Sequence, residues 1–445
     1  MRWCAAIVLA AGLVAGAADA GPVTLTVDQL REFGSAAVLR GFADEALAVA
    51  EALLARDRAD SLALTLRAQA LRIRGDLAGS ERAARQAWAA AGDDAARYAA
   101  ATALAQALSL QNRRTMAQYW LRQASQNAPS PGARAQALAD FNYVRDQNPL
   151  RLQLQASLRP SNNVNGGTRE TSFYVPIFGG LDLPYLPSDR ALSGEVWSLG
   201  VSGSYKLRDT GALQDALTFA VSGQGAALSA RARAAAPALR NGDFSFGQIE
   251  AGFQRKLALP GSLITLDLTG GHSWYGGDDM ADSLLGQVTL DTKVTDRISG
   301  SFTASLHRQT RLDRPQSSST EAAIQASLGR RGPRGDYWEL GLDLSQSYSQ
   351  DTGVGNRAAT LSLAWRAAEP VLGLDLGAST ALRVADYDNG RHDARVSLGL
   401  SGSAPGLSYL GFSPVLSLDA ARNTSTNSRF STDTFGVGLS LKSSF

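Results

Sequence analysis

Up to Asn148-Pro149 the apolar residues of this chain recur about every 3.6 positions, and from Leu150 onward they recur every second one. One period belongs to a helix and the other to a strand, so the switch divides the chain into an α-helical front and a β-stranded remainder. In the first stranded segment Leu150, Leu152, Leu154, Ala156 and Leu158 point one way, while Arg151, Gln153, Gln155 and Ser157 point the other. The alternation returns in segments such as Trp197 to Tyr205, Leu217 to Val221, Ile264 to Leu268, Ile298 to Leu306, Trp338 to Leu344, Leu372 to Leu376 and Phe435 to Leu441. The count is 14 segments, with no helical stretch between them.

An even number of two-faced segments, each of about ten residues, is what a bacterial outer-membrane barrel requires, since in lipid only closure gives every backbone N–H and C=O a partner. The expected fold is therefore an N-terminal helical solenoid followed by a 14-stranded antiparallel transmembrane β-barrel. If the chain enters from the periplasm, alternate connections should be short turns and the others longer outside loops. Leu259-Pro260-Gly261, Thr295-Asp296-Arg297 and Ala368-Glu369-Pro370 are short, whereas Pro160 to Ala191, Ser229 to Gly242 and Arg308 to Ser318 are longer. Thr434, Gly436, Leu439, Leu441 and the terminal Phe445 fit the polar-x-Gly-x-x-apolar-x-apolar signal read by the barrel assembly machinery, so that machinery and outer-membrane lipid are expected partners. Trp274, Tyr275, Trp338, Tyr348, Trp365 and Tyr387 lie near segment ends, where an interfacial girdle would sit.

Composition agrees. The chain has 43 Lys+Arg against 41 Asp+Glu, and a net charge of +2 provides no field that would attract nucleic acid. Beyond the N-terminus no run approaches the ~20 apolar residues of a spanning helix. That N-terminus reads as a secretory signal over 1–20: Arg2, an apolar stretch from Ala5 to Ala18, and Ala18-Asp19-Ala20 as the cleavage site. Cys4 leaves with it, so the mature chain has no thiol for a disulfide, a metal or a nucleophile.

Residues 21–148 form the expected periplasmic domain and 149–445 the barrel. Within the first, Ala46, Val49, Ala50, Leu53 and Leu54 fall at helical spacing. Ala46/Ala50/Leu53 is matched 34 residues later by Ser80/Ala84/Ala87, and after a further 37 by Ala117/Leu121/Ala124. Small residues at this interval resemble tetratricopeptide repeats, with a plain Ala-rich array of helical hairpins as the alternative. Either is a short solenoid able to hold a peptide.

On this register the lumen receives Glu250, Asp267, Asp291, Lys293, Glu339, Asp343, Asp375 and Asp419 among small polar residues, so it is expected to be wet, and a loop or plug could narrow it. His272 and His307 lie near strand ends, His307 facing outward or sideways, and His392-Asp393 at a loop exit. They show no metal spacing and no nucleophile triad, so no enzyme activity, metal or cofactor is expected.

The order of the parts, with Pro160, Ser161, Asn162, Asn163, Asn165 and Gly166 closing the first strand, resembles the surface lipoprotein assembly modifier family, in which a Pro-Ser-Asn-x-Asn-Asn-Gly-like run is common. Gly166 stands where a second Asn is usual, and the helical module is shorter than is typical. The resemblance implies a translocon-like protein that helps display a lipoprotein or other exported protein on the surface, the client being received by the periplasmic repeats. Exopolysaccharide export and an uptake porin are the alternatives.

Overall fold

The computed structural model describes residues 25–175 and 181–443. The expected signal over 1–20 and Phe445 lie outside the described residues. Contact clustering divides the chain into two compact units, the first ending at Pro131 and the second beginning at Gly132.

The first unit holds α1 (Val27–Arg40), α2 (Ala43–Arg56), α3 (Ser61–Ile73), α4 (Leu77–Ala90), α5 (Asp94–Leu110) and α6 (Arg114–Gln126). Their starts are written locally. Thr26 and Gln29 form a capping box on α1, and the carboxylates of Asp60, Asp76 and Asp93 accept backbone N–H groups at the starts of α3, α4 and α5. All nine residues of the repeat pattern are buried, from Ala46, Ala50 and Leu53 through Ser80, Ala84 and Ala87 to Ala117, Leu121 and Ala124. Small side chains let the helices approach, and two buried hydroxyls tie α3 to α4: Ser61 Oγ donates to Ala87 O at 2.9 Å and Ser80 Oγ to Ala68 O at 2.7 Å. At Gly34 a Cβ would stand 2.4 Å from Leu66 Cδ2, so α1 and α3 pack more closely than any side chain there would allow. A seventh helix, α7 (Pro131–Gln147), leads into the barrel. The expected boundary at 148 falls at its end, whereas the first compact unit stops at its beginning.

The second unit is a closed barrel. It comprises β1 (Leu150–Ser161) and then, after a separate hairpin of β2 (Ser172–Val175) and β3 (Leu181–Pro184), β4 (Gly194–Asp209), β5 (Leu213–Leu228), β6 (Phe246–Leu259), β7 (Ser262–Tyr275) and β8 (Asp278–Lys293). It continues with β9 (Ile298–Arg311), β10 (Ser319–Arg331), β11 (Tyr337–Ser349), β12 (Asn356–Arg366), β13 (Asp375–Tyr387), β14 (His392–Ser403), β15 (Phe412–Ser425) and β16 (Thr432–Ser443). These 14 strands are antiparallel to their neighbours, and β1 closes on β16. Leu154, Leu199, Leu268, Leu306, Leu342, Leu398 and Leu439 all lie exposed on the outer wall. An apolar belt of that extent is solvated by lipid, and a closed ladder leaves no backbone group unpaired inside it, so the chain is an outer-membrane β-barrel.

Three expectations are corrected. Leu372 and Leu374 are not strand residues: Leu372 has φ 53, bridges no ladder and stands in a turn, and β13 starts at Asp375. Their spacing mimicked a strand because the turn carries leucines on alternate positions. Outer connections are not uniformly long either, since β7 and β8 are joined by Gly276-Gly277 alone, both with positive φ, as the tightest hairpin turns need. The asymmetry resides in the two long connections, 162–193 and 229–245. Finally, Tyr387 does not join the girdle, because its ring stacks on Arg391, 3.5 Å from the guanidinium carbon.

Candidate functional site: the lumen and its outer mouth

In every strand the residues between the exposed apolar ones face the barrel interior. One register row runs Arg395, Arg383, Thr360, Asp343, Gln325, Thr303 and Thr289 across seven neighbouring strands, cationic at one end and hydroxyl-rich at the other. Thr289 and Thr303 hydrogen bond across it at 3.0 Å. Below the row Ser301, Ser327 and Glu339 are shared by two recesses of about 500 and 260 Å³, the larger reaching Asp291 and Lys293, the smaller Asp343. Tyr337 donates its hydroxyl to Glu339 Oε2 at 3.1 Å and lies under Arg366.

The other acids are spread along the same face and are not drawn into one cluster. Glu250 accepts from Gln248 Nε2 at 2.6 Å, Asp267 from Gln254 Nε2 at 2.8 Å and Asp419 from Ser417 Oγ at 3.2 Å. Lys293 pairs with Asp296 in a turn, and Asp375 sits at the first residue of β13 opposite Ser403. The wall can therefore hydrate and guide a polar solute by many weak contacts.

His307 corrects the sequence reading. It alternates with exposed Phe302 and Leu306 and so faces the lumen, in register with Glu321. His272 is on the outer wall, its ring nitrogens 2.7 Å from Asp282 and 3.1 Å from Asp279. His392 is bonded to Asp386. No group of metal-binding side chains occurs among the described residues.

The outer mouth differs from the rest of the lumen, and sequence reasoning missed it. Val196, Ala226 and Leu228 are interior-facing, apolar and buried, and they pack with Leu192, Phe244 and Ala232 and Ala236 around a short helix, α8 (Ala230–Ala235). Here the inner wall is dry: residues of both long connections fold onto β4 and β5 and form an apolar cluster, a plug seated against one side of the mouth. The break in polar alternation at the ends of these strands was the available signal.

Asn162, Asn163 and Asn165 fasten this plug. Asn165 Nδ2 donates to Ser188 O at 2.9 Å and Arg190 O at 2.8 Å, while its Oδ1 accepts Leu192 N at 2.9 Å. Buried Asn163 exchanges two bonds with Gly167, at 2.9 Å each. Asn162 extends the seam, its Oδ1 accepting Phe435 N at 2.8 Å. Ser161 Oγ caps this turn by accepting Asn163 N, Pro160 lies opposite Glu195 in β1, and Gly166 takes φ 63.

The same loop is bonded to the connection between β15 and β16. Thr168 Oγ1 lies 2.6 Å from Ser428 O and 3.0 Å from Ser431 O, Tyr185 bonds Ser428 Oγ, and Arg429 pairs with Asp189. Arg169 bridges Glu170 and Asp433, and these carboxylates hold its guanidinium above the usual arginine range. Nearby, Arg391 is buried between the rings of Tyr387 and Phe430. In the last strand Leu439 and Leu441 are exposed on the outer wall, Gly436 faces inward against Arg159, and Thr434 Oγ1 reaches Ala421 O at 3.4 Å.

No protein-family profile matches the chain, and no curated protein matches it. Solved structures resemble its parts. The first TPR domain of the human RPAP3 protein is 17% identical over 27% of this chain and 93% of that one, with a TM-score of 0.24. Pseudomonas putida OprB is 8% identical over 68% and 96%, with a TM-score of 0.39. A bacterial polysaccharide outer membrane secretin is 8% identical over 66% and 98%, at 0.35. The fold assignment rests on the closed ladder and the exposure pattern themselves.

Proposed function

We propose that this outer-membrane barrel moves or displays an exported protein, a lipoprotein being the favoured client, on the cell surface, with the helical repeats receiving it in the periplasm. The observation that carries the reading is the outer mouth: two long loops fold onto the inner wall of a polar lumen and are latched by side-chain hydrogen bonds and by the Arg429–Asp189 and Arg169–Asp433 ion pairs, an arrangement that suits a conduit that opens for a client rather than a standing pore. The repeats add a groove of about 770 Å³ between α2, α3 and α4, edged by Glu51, Arg58, Arg67 and Gln86, where an extended polar segment would lie. No nucleotide is needed, since client folding outside would draw the chain forward.

The test is surface biotinylation with mass spectrometry in cells carrying the full chain, a chain lacking 27–130 but keeping α7 and the barrel, or neither. Loss of specific surface proteins with the shortened chain, while its barrel still assembles, is the expected result. Equal surface labelling from full and shortened chains would refute it. A second reading, export of a polysaccharide, is favoured by the hydroxyl- and carboxylate-lined recess at Ser301, Tyr337, Glu339 and Asp343. Block of single-channel current by neutral oligosaccharides would select it.

A further inference from the structure

The lipid-facing wall carries a depression across β8 to β11. Gly286, Ala304 and Ala322, on β8, β9 and β10, alternate with larger neighbours, Leu306 standing between Gly286 and Ala322 and Ala304 between Val288 and Ile324, and with Leu344 they border an open depression of about 660 Å³. Its lining is mostly apolar on a lipid-facing wall, so hydrocarbon is what fills it.

Above this groove, toward the outer ends of the strands, stand two exposed arginines. Arg308 Nη1 donates to Thr320 Oγ1 at 2.9 Å, and Arg357 Nε to Gln346 Oε1 at 2.8 Å. Neither has a carboxylate at ion-pair distance among the described residues; Asp386, in register with Arg357, is bonded to His392. Two other outward guanidiniums are matched, Arg255 with Asp215 and Arg422 with Asp433, while outward Arg330 lies at the opposite end of β10 from this groove's arginines. So the neutral partners orient the two forks and leave most of their N–H groups and both charges directed to the headgroup level.

We infer that this face between β8 and β12 is a binding site for a phosphate-bearing acylated lipid of the outer leaflet, one acyl chain lying on Gly286, Ala304 and Ala322 and the phosphate held by Arg308 and Arg357. The cationic top fits an anionic headgroup and the groove fits a chain, a combination that neither free phosphate nor a neutral lipid satisfies. The site is independent of whatever crosses the lumen.

The test uses the full chain in phosphatidylcholine nanodiscs doped with lipid A, with retained lipid counted by native mass spectrometry. Two variants divide the site: R308Q/R357Q removes the charge, and G286L fills the floor. A Cβ at position 286 meets no atom within 4 Å, so G286L leaves the barrel intact, as retained heat-modifiable mobility would show. R308Q/R357Q should weaken lipid A retention roughly thirtyfold, the factor two surface guanidiniums contribute, and bring it level with dephosphorylated lipid A. G286L should weaken both lipids. Unchanged retention in either folded variant, or full displacement of lipid A by millimolar inorganic phosphate, would overturn the assignment.

Discussion

Replacing Asn165 by Ala should loosen the mouth of the barrel without disturbing its wall. Besides a longer bond from Gly167 N at 3.3 Å, Asn165 makes three strong side-chain hydrogen bonds at 2.8 to 2.9 Å, two donated to Ser188 O and Arg190 O and one accepted from Leu192 N, across 23 to 27 residues of loop. Each is worth ~0.5–1.5 kcal/mol net, so their removal costs the latched state about 1.5–4.5 kcal/mol. The Asn165 side chain is half-buried, water recovers part of that loss, and the lower half of the range applies. At ~1.4 kcal/mol per factor of ten, opening of residues 162–193 becomes roughly ten- to a hundredfold more frequent. Hydrogen exchange read by mass spectrometry on the detergent-solubilised chain measures this directly: peptides from 162–193 should lose protection by that factor, while peptides from β7 and β8 hold theirs. Asn165→Asp keeps the acceptor but sets a carboxylate oxygen against the Ser188 and Arg190 carbonyls, so it should loosen the loop at least as much as Ala. Protection of 162–193 within threefold of the unaltered protein in N165A would show that the loop is held by something other than this side chain.

Conversion of Glu339 and Asp343 to Gln and Asn removes two negative charges from the recess beside Ser327, and the reversal potential in a salt gradient should move toward anion preference; no movement would mean that ions bypass this wall. In the helical unit Gly34→Val forces a side chain against Leu66 and should destabilise the repeats by ~1–3 kcal/mol, seen as a lower helical melting midpoint by circular dichroism. Asp60 bears on pH. Burial pushes its carboxyl up, but the bond from Arg31 at 2.8 Å and the N–H groups of Leu62 and Ala63 outweigh this, leaving it below the usual range. A carboxyl depressed in the folded state adds stability above its unfolded pKa of ~3.9, and that stability drains away as pH falls through the lower folded value. The helical midpoint of Asp60→Asn should therefore lie below that of the unaltered chain at pH 7, and the gap should narrow steadily as pH falls below ~3.9; a gap constant with pH would exclude the ion pair as its source.

Much of this architecture is local in origin and was legible in the sequence. Period alone separates helices from strands, because Leu152 and Leu154 must share a face in a strand, and the buried Ala50, Ala84 and Leu121 repeat because each helical hairpin meets its neighbour in the same way. The mouth was not legible, for a physical reason. Val196, Ala226 and Leu228 are apolar on the interior face only because Leu192 and Phe244 come back to cover them, and that pairing is decided by loop paths of 17 to 32 residues, not by neighbours in sequence. Asn163 and Asn165 stood out as a motif resembling that of a family, yet their hydrogen bonds to Gly167, Ser188 and Arg190 required the folded loop. His307 was misplaced for a simpler cause: the strand was taken to end there, whereas β9 runs on to Arg311 and its strict alternation with Phe302 and Leu306 turns His307 inward.

The seam between β1 and β16 carries a consequence for assembly. The groups that receive the first loop, Ser428, Ser431 and Asp433, lie in the connection before the last strand and at its start, some 260 residues downstream of Thr168 and Arg169. Until β16 docks, the plug has an inner wall on β4 and β5 but nothing to be tied to on its other side. The last ties of the mouth thus form only as the wall closes, and a nascent barrel awaiting its final strand is open sideways with its first loop fastened on one side alone.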